Sequence, residues 1–399
     1  MRITTSMSYD RSISYLQRSN SNVDKYSQQY NTGQKFTTAA EDPTGMGNSL
    51  RLEAEISTYT QYSVNAGLAS DALGLEETSL SNIYSSLQNV QTKLQSAVNG
   101  TLDKYNLDAI ASALEEYQTM IYDLMNTKTS EGEYIFSGNQ SINPTMELQA
   151  NGKYVCNADA GFRQIKVSPS VQITTSDSGL SLFQQTQVAR TATSDANSSL
   201  TYKNVETFNE YVNRTYDSTR ADNSLTMTYD GATGEYVIES NWDGAELQRG
   251  TITAGNKVLF NGLEIDLHEG QTSSVIELDP PMNDNVLNSL TTVINALRDT
   301  NMNTDERNTL IAQGQVNVST ALENINVALG HVGSRLGNIE TVISSNESLN
   351  VIKQESLANI KEVDVYEAVS NLLKEQNALN VAQQTFSKVN GTSLFDYIR

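Results

Sequence analysis

The two ends of this chain carry apolar residues at alternating steps of three and four, the spacing of helices that pack side by side. The N-terminal repeat, which includes one charged member, runs through Ala69, Leu73, Glu76, Leu80, Ile83, Leu87, Val90, Leu94 and Ala97. The C-terminal repeat runs through Val318, Leu322, Ile325, Leu329, Val332, Leu336, Ile339 and Ile343. Each repeat places an apolar stripe on one side of a helix, and another helix must cover that stripe to exclude water. We therefore predict that the two stripes pack against each other.

The segment between the repeats has the shorter period of β-strands. Strands are predicted at residues 134–138, 152–157, 163–175, 225–230, 235–240, 251–255, 257–262 and 263–267. A more polar stretch, 197–223, interrupts them and contains a short predicted helix at 205–212. The two prolines at 280–281 end the β region, and we predict that a helix restarts after an N-cap at Asn283 or Asp284.

These patterns predict a mainly α fold with an inserted β-rich domain. Long antiparallel coiled-coil helices are formed by the N- and C-terminal parts of the chain. The predicted divisions are an N-terminal assembly helix at 1–45, the N-terminal half of a helical core at 46–139, the β-rich surface domain at 140–285, the C-terminal half of the core at 286–350 and a C-terminal assembly helix at 351–399. We expect the two assembly helices to be disordered in the monomer, because isolated helices without a well-packed apolar face are marginally stable.

The charge of the chain is negative and unevenly distributed. The formal net charge is −21, which argues against nucleic acid and anionic membrane surfaces as partners. Residues 140–285 carry nine Lys and Arg against nineteen Asp and Glu, whereas the ends are nearly neutral. This distribution favours a solvated middle and closely packed ends. The first residues lack the apolar core of a signal peptide, so export would need a route without a cleaved signal.

The sequence offers few residues for catalysis or metal binding. His268 and His331 lie far apart in the chain, and Cys156 is the one cysteine. Asp230, Asp243, Asp279 and Asp284 do not have the regular spacing of an EF-hand loop. We therefore expect no catalytic residue, no cofactor and no metal site, and we interpret the acidic residues as a solvated surface.

The terminal helices carry interrupted apolar faces that we interpret as assembly surfaces. The N-terminal face consists of Ile13, Leu16, Val23 and Tyr30. The C-terminal face, which we also expect an export chaperone to cover, consists of Val365, Ala368, Leu372, Leu379, Ala382, Phe386 and Val389. Interrupted faces of this kind suit helices that fold when neighbouring subunits cover them.

Several segments at both ends resemble the flagellin-related family of flagellar hook-associated protein 3, the hook–filament junction proteins. The resemblance rests on MRITTSMSYD, NTGQKF, EDPTGMGNSLRL, LQNVQTKLQSAVNGTL, EGEYIFSGNQSINP, LGHVGSRLGNIE and LNVAQQTFSKVNGTSLFDYI. The opening differs from the Ala-x-Val-Ile-Asn-Thr-Asn type of flagellins, and SLFDYI differs from their Leu-Leu-Arg-like ending. Both differences favour a junction protein over a filament subunit.

The resemblance implies a structural role in the flagellum. Such a protein is a monomer in solution, is exported unfolded through the type III apparatus and assembles as a ring beyond the first hook-associated protein. Flagellin then polymerises beyond it, and a cytoplasmic chaperone holds the C-terminal helix before export. Two alternatives stay open at this point: a flagellin filament subunit, and a secreted adhesin or hydrolase that carries the β domain on helical stalks.

Overall fold

The computed structural model describes residues 5–98, 103–252 and 256–391. The helices are α1 (Thr5–Thr32), α2 (Pro43–Ala97), α3 (Lys104–Met125), α4 (Val205–Thr215), α5 (Val286–Arg298), α6 (Thr304–Lys361) and α7 (Val365–Gly391). The strands are β1 (Met146–Leu148), β2 (Tyr154–Cys156), β3 (Gln164–Lys166), β4 (Gln172–Thr174), β5 (Ala192–Ser194), β6 (Ser198–Tyr202), β7 (Ser224–Asp230), β8 (Glu235–Ser240), β9 (Glu246–Thr251), β10 (Lys257–Phe260), β11 (Leu263–Leu267) and β12 (Ser273–Leu278). The predicted fold class is confirmed: long helices from both ends of the chain flank an inserted β-rich region.

The chain forms two compact units, and α2 and α6 each contribute to both. The terminal unit comprises residues 1–65 and 341–399, and the central unit comprises residues 66–340. The predicted division at residues 45 and 351, with disorder outside it, concerns the free monomer in solution and stays a prediction.

In the central unit, the predicted stripe of α2 is buried, whereas that of α6 alternates between buried residues and the half-buried Leu322, Leu329 and Leu336. Leu73, Leu80, Ile83, Leu87, Val90 and Leu94 of α2 and Val318 and Val332 of α6 have no exposed surface. At Gly314 a Cβ atom would lie 4.0 Å from Cδ1 of Leu94 and 2.5 Å from Cγ2 of Val293. Helix α6 therefore approaches both α2 and α5 closely at this glycine.

Helices α3 and α5 form a second packed pair in the central unit. The Gln118 side chain is buried and donates hydrogen bonds from Nε2 to the carbonyl oxygen of Leu287 at 2.8 Å and to Oγ1 of Thr291 at 2.7 Å. At the exposed edge of the pair, Arg298 contacts Glu115 at 2.7 Å. Since a buried amide needs partners, the contacts of Gln118 fix the register of the two helices.

The inserted region contains a five-stranded antiparallel sheet in the order β5-β12-β7-β8-β9 and a three-stranded sheet in the order β10-β11-β6. Two short hairpins, β1-β2 and β3-β4, precede them. Helix α4 packs on this region through Phe208 and Tyr211, whose rings lie 5.3 Å and 5.1 Å from those of Tyr202 and Phe260. The alternating buried residues of β11 and β12 complete one core, because successive side chains of a strand point to opposite faces.

Several predicted elements differ in the structure. Residues 134–138 are not a strand: Tyr134 makes only an isolated bridge to Lys128, and the chain then turns at Gly138, whose φ is +67°. The predicted strand at 163–175 is the hairpin β3-β4. The predicted strand at 251–255 overlaps β9 only at Thr251, and residues 253–255 lie outside the described part.

Four strands, β1, β5, β6 and β12, and one cap position were not predicted. The sequence patterns of β5, β6 and β12 are short and rich in Ser and Thr, and pairing with neighbouring strands makes them strands. Helix α5 is capped by Asn285, whose side chain accepts a hydrogen bond from the backbone N–H of Asn288, rather than by Asn283 or Asp284. Asp284 instead accepts hydrogen bonds from Asn285 and Asn288.

In the terminal unit, the turn after α1 and the turn after α6 lie together and form a short antiparallel bridge. The backbone N–H of Lys35 donates to the carbonyl oxygen of Lys361 at 2.7 Å, and that of Val363 donates to the oxygen of Gly33 at 2.9 Å. The ammonium group of Lys35 also donates to the carbonyl oxygen of Asn359 at 2.6 Å. Gly33 has a φ of +69°, which glycine adopts without steric cost. We call residues 33–36 and 361–364 the joint.

The joint continues into the capped start of α2. Asp42 accepts a hydrogen bond from the backbone N–H of Gly45 at 2.8 Å, and Pro43 occupies the first helical position, where its missing N–H is not needed. The Phe36 ring is 4% exposed and packs over Gly45. A Cβ atom on Gly45 would lie 2.8 Å from the Phe36 ring and would also overlap the Asp42 carboxylate. Glycine is therefore required here for close packing.

We predict that Gly45→Ala destabilises the terminal unit. The added methyl group must displace the Phe36 ring and the Asp42 cap, at a cost of about 1–3 kcal/mol. Gly47→Ala is the matched control, because a Cβ atom on this exposed helical glycine meets nothing within 4 Å. That control should be neutral or stabilising by about 0.5–1 kcal/mol, the helix-propensity gain. Urea unfolding of both variants tests this, and equal effects would contradict the packing role of Gly45.

We also predict that Val332→Asp destabilises the central unit much more than Val327→Asp. Val332 is 0% exposed within the α6 stripe, whereas Val327 is 53% exposed on the same helix. The predicted stripe member Leu329 is only half-buried, which makes Val332 the stronger test. A buried unpaired charge costs at least about 3 kcal/mol, and an exposed one costs less than about 0.5 kcal/mol. Similar melting temperatures for the two variants would show that the stripe is not a core.

Candidate assembly surface

Helices α1 and α7 pack against each other in antiparallel orientation within the terminal unit. Near the start of α1, the ring of Tyr9 lies 5.5 Å from that of Phe386 near the end of α7. Further along, Asn22 donates a hydrogen bond to the Glu375 carboxylate at 3.4 Å. The joint then links the end of α1 to the chain just before α7. The pair is thus held by side chains along its length and by backbone hydrogen bonds at one end.

The predicted N-terminal face lies on the side of α1 that carries Tyr9. Ile13, Leu16 and Val23 continue from Tyr9 in steps of four, three and seven, and all three are half-buried. Tyr30 lies on the same line but is 49% exposed. Three of the four predicted residues therefore lie on the side of α1 that faces α7.

The predicted C-terminal face is also turned towards α1 over most of its length. Ala368 is 1% exposed, and Val365 at the start of the helix is 52% exposed. The remaining described members are half-buried, and they are Leu372, Leu379, Ala382 and Phe386. The side chain of Val389 and the apolar tail SLFDYI lie outside the described part of the chain. The role of this face in assembly or chaperone binding stays a prediction.

A second apolar surface of the pair was identified from the sequence only in part, through Ala382 and Phe386 of the predicted C-terminal face. It includes exposed large side chains, of which Val381 is 62% exposed, Tyr15 60% and Leu373 55%. A groove of about 490 Å³ is lined by Ser12, Tyr15, Asn377, Ala378, Val381, Ala382, Thr385 and Phe386. We call the residues that line this groove the outer groove. The sequence contains a signal for this second surface. Adjacent apolar pairs such as Leu372-Leu373 make the apolar side of a helix wider than a single stripe.

Ion pairs also connect α2 and α6 near the joint. Lys361 contacts Glu53 at 2.9 Å, and Lys353 contacts Glu55 at 2.5 Å. The hydrogen bond from Lys353 lowers the pKa of the Glu55 carboxyl below its ordinary value. These groups are partly exposed, so they set the register of the helices more than they stabilise them.

The two histidines and the cysteine, which the sequence analysis considered for catalysis or metal binding, lie in different parts of the fold. Nδ1 of His268 lies 3.0 Å from the carbonyl oxygen of Ala196, and His331 is exposed on α6. Burial raises the pKa of the Cys156 thiol, which disfavours the reactive thiolate. Within the described ranges, no three His, Cys, Asp or Glu side chains come together as metal ligands.

The described helices lie within residues 5–98, 103–252 and 256–391. None of these helices combines the length and the hydropathy needed to cross a bilayer.

Residues 3–141 match the family model of the bacterial flagellin N-terminal helical region. The chain is similar to flagellar hook-associated protein 3 of Escherichia coli, with 28% identity over 173 residues, which is 43% of this chain and 54% of the relative. It is also similar to the protein of the same name from Salmonella typhimurium, with 29% identity over 154 residues, or 39% of this chain and 48% of the relative. The matches thus span about half the length of these relatives.

Solved structures share the fold. One is the flagellar hook-associated protein 3 of Legionella pneumophila, with a TM-score of 0.61 and 22% identity, covering 77% of this chain and 98% of that one. Another is Xanthomonas campestris FlgL, with a TM-score of 0.59 and 18% identity, covering 77% of this chain and 99% of that one. The resemblance predicted from the sequence is therefore confirmed: this chain carries a flagellin-type N-terminal helical region and is similar to flagellar hook-associated protein 3.

Proposed function

We propose that this protein is a structural component of the bacterial flagellum that joins the hook to the flagellin filament. The observation that carries the proposal is the similarity of this chain to flagellar hook-associated protein 3. The match of residues 3–141 to the flagellin N-terminal helical region supports it, and this range contains α1 of the α1–α7 pair. The similarity to these relatives favours a junction protein over the alternative of a filament subunit.

In the proposed role, identical subunits form a ring between the first hook-associated protein and flagellin, and filament growth and swimming depend on that ring. Subunits that repeat in a ring or tube contact one another through apolar surfaces, and these surfaces are exposed to solvent in the free monomer. The outer groove supplies such a surface, since Tyr15 and Val381 are each more than half exposed. The protein acts by binding its neighbours and carries out no reaction.

The half-buried contacts between α1 and α7 support a further part of the proposal. Most of the apolar side chains between these helices keep some contact with solvent, in contrast to the fully buried stripe of α2. A pair with so little buried surface is weakly stable by itself. We infer that the α1–α7 pair is only marginally stable in the free monomer, where it opens readily, and that it becomes firmly ordered when neighbouring subunits cover the outer groove.

The proposed place of action is the flagellum outside the cell, which the chain reaches through the type III export apparatus without a cleaved signal. Before export, a chaperone covers the apolar face of α7. The side chains of that face are turned towards α1, as the Tyr9–Phe386 contact illustrates. A chaperone bound to this face therefore has to displace α1, so the two compete for one surface.

Deletion of the gene tests the proposed function. We expect cells with hooks but without filaments, and flagellin monomer released into the culture medium. Complementation with the natural gene should restore filaments and swimming. Normal filaments in the deletion strain would contradict the junction role.

Complementation with Val381→Asp tests the outer groove. We expect this variant to be produced and exported but not to restore swimming, because a charge in the groove opposes desolvation in a subunit contact. The matched control is Val275→Asp on β12, where the side chain is 41% exposed on the inserted β region. The control should restore swimming, and full swimming with both variants would exclude the outer groove as an assembly surface.

A binding titration with the purified chaperone tests the competition. Removal of residues 1–32 should increase chaperone affinity, because the chaperone then displaces no helix from α7. Leu379→Asp combined with Phe386→Asp should weaken binding at least about tenfold by removing the apolar contact. The matched double substitution Asn380→Asp with Ser387→Asp alters exposed positions of the same helix and should bind normally. Unchanged affinity on removal of α1 would contradict the shared surface.

A further inference from the structure

Glu76 is a charged residue in the middle of a buried apolar stripe. It lies between Leu73 and Leu80 on α2, both of which are 0% exposed, and it is itself 1% exposed. An ionised carboxylate at such a position is unfavourable unless charges or hydrogen bonds replace the lost water. Its partners therefore decide which protonation state the folded chain favours.

One oxygen of Glu76 has a partner and the other has none. Oε1 accepts a hydrogen bond from the backbone N–H of Asp177 at 2.9 Å. Oε2 is buried without a hydrogen-bond partner among the residues that the structure describes. A carboxylate needs several donors to replace its hydration, so this arrangement satisfies only part of the ionised group.

The charged groups that face Glu76 are Asp177 and Arg335. Arg335 of α6 donates through Nη2 to both carboxylate oxygens of Asp177, at 2.7 Å and 2.6 Å. The one guanidinium is thus directed to Asp177, and a second carboxylate nearby has no cation of its own. When Glu76 is neutral, Asp177 and Arg335 balance each other, and when Glu76 is ionised the cluster carries an excess negative charge.

Asp177 belongs to a short segment that is itself closely packed. Thr175, Ser176 and Ser178 are 7%, 4% and 8% exposed, respectively. We call residues 175–178 the latch segment. Asp177 makes the hydrogen bonds of this segment to both long helices. Its backbone N–H donates to Glu76 of α2, and its carboxylate accepts from Arg335 of α6.

We propose that Glu76 is a proton-controlled latch, which fastens the latch segment to α2 firmly in mildly acidic solution and loosens as the pH rises to neutrality. The neutral carboxyl fits the apolar stripe, whereas the ionised carboxyl gains by reaching water. Glu76 is 1% exposed and accepts the Asp177 N–H, so its carboxyl reaches water when this contact between the latch segment and α2 opens.

The direction of the pKa shift agrees with this geometry. Burial, followed by the charge of Asp177, raises the pKa of Glu76 to about 7 from its ordinary 4.5, against the smaller opposing effects of the Asp177 N–H and of Arg335. In the open state the carboxyl is hydrated and has its ordinary pKa. Between these two values the closed state binds the extra proton, so closure is favoured below the window and weakens as the pH rises through it. Above the window both states are ionised and the effect is constant.

Hydrogen exchange of the backbone amides tests the latch in the whole chain. After correction for the intrinsic dependence of exchange on pH, protection of the latch segment should fall about tenfold per pH unit between about pH 5 and 7 and then level off. Amides in α3 and α5 should keep their protection. A fall of equal size in those helices would show that the proton stabilises the whole unit and would overturn the latch.

Two substitutions complete the test. Glu76→Gln keeps the shape without the titration, so protection of the latch segment should lose its pH dependence. Glu77→Gln on the exposed side of α2 is the matched control and should behave as the natural chain does. The natural chain and the control decide the question even where Glu76→Gln does not fold. Protection that is independent of pH in both, or an unchanged dependence in Glu76→Gln, would overturn the proposal.

Discussion

The pairing of helices from opposite ends of the sequence is the interaction on which the rest of this structure depends. In the terminal unit α1 packs along α7, and in the central unit α6 approaches α2 near Gly314, where an added Cβ atom would lie 4.0 Å from Cδ1 of Leu94. These partners are separated by more than two hundred residues, so the chain between them has to close a long loop. The entropy of closure grows only slowly with loop length, and the inserted region forms its own core. A large β-rich insertion is therefore compatible with the helical pairing.

The α2 stripe and the α1–α7 pair differ in how much apolar surface they bury. This difference suggests a stabilising role for the first and, in the proposed function, an assembly role for the second. The α2 stripe contains six large residues without exposed surface, while the contacts of α7 are mostly half-buried. The first arrangement suits a core that is stable in the monomer. The second leaves apolar surface available, and the outer groove with Val381 and Tyr15 is part of that surface. This difference fits the proposed function, in which a chaperone and later the neighbouring subunits cover the less buried ends.

Polar residues within these apolar contacts have specific local roles. Gln118 fixes the register of α3 and α5, and Lys35 connects the two turns of the joint. Glu76 differs from both, because one of its oxygens has no partner among the described residues. The same stripe that stabilises the helices therefore also contains a group whose protonation affects how tightly a neighbouring segment is held.

The sequence by itself determined the helical ends, their apolar stripes and the hairpins β7-β8 and β10-β11, because these features are local periodicities. The resemblance to flagellar hook-associated protein 3 was likewise carried by short segments of the helical ends. The strands β5, β6 and β12 became strands only through their pairing, and residues 134–138 became a turn around Gly138. Only the tertiary structure decided that the face with Leu379 and Phe386 is turned towards α1, and that Glu76 meets Asp177 beside Arg335. The physical reason is that periodicity defines which side of a helix is apolar, whereas the partner of that side is fixed by packing between segments distant in sequence.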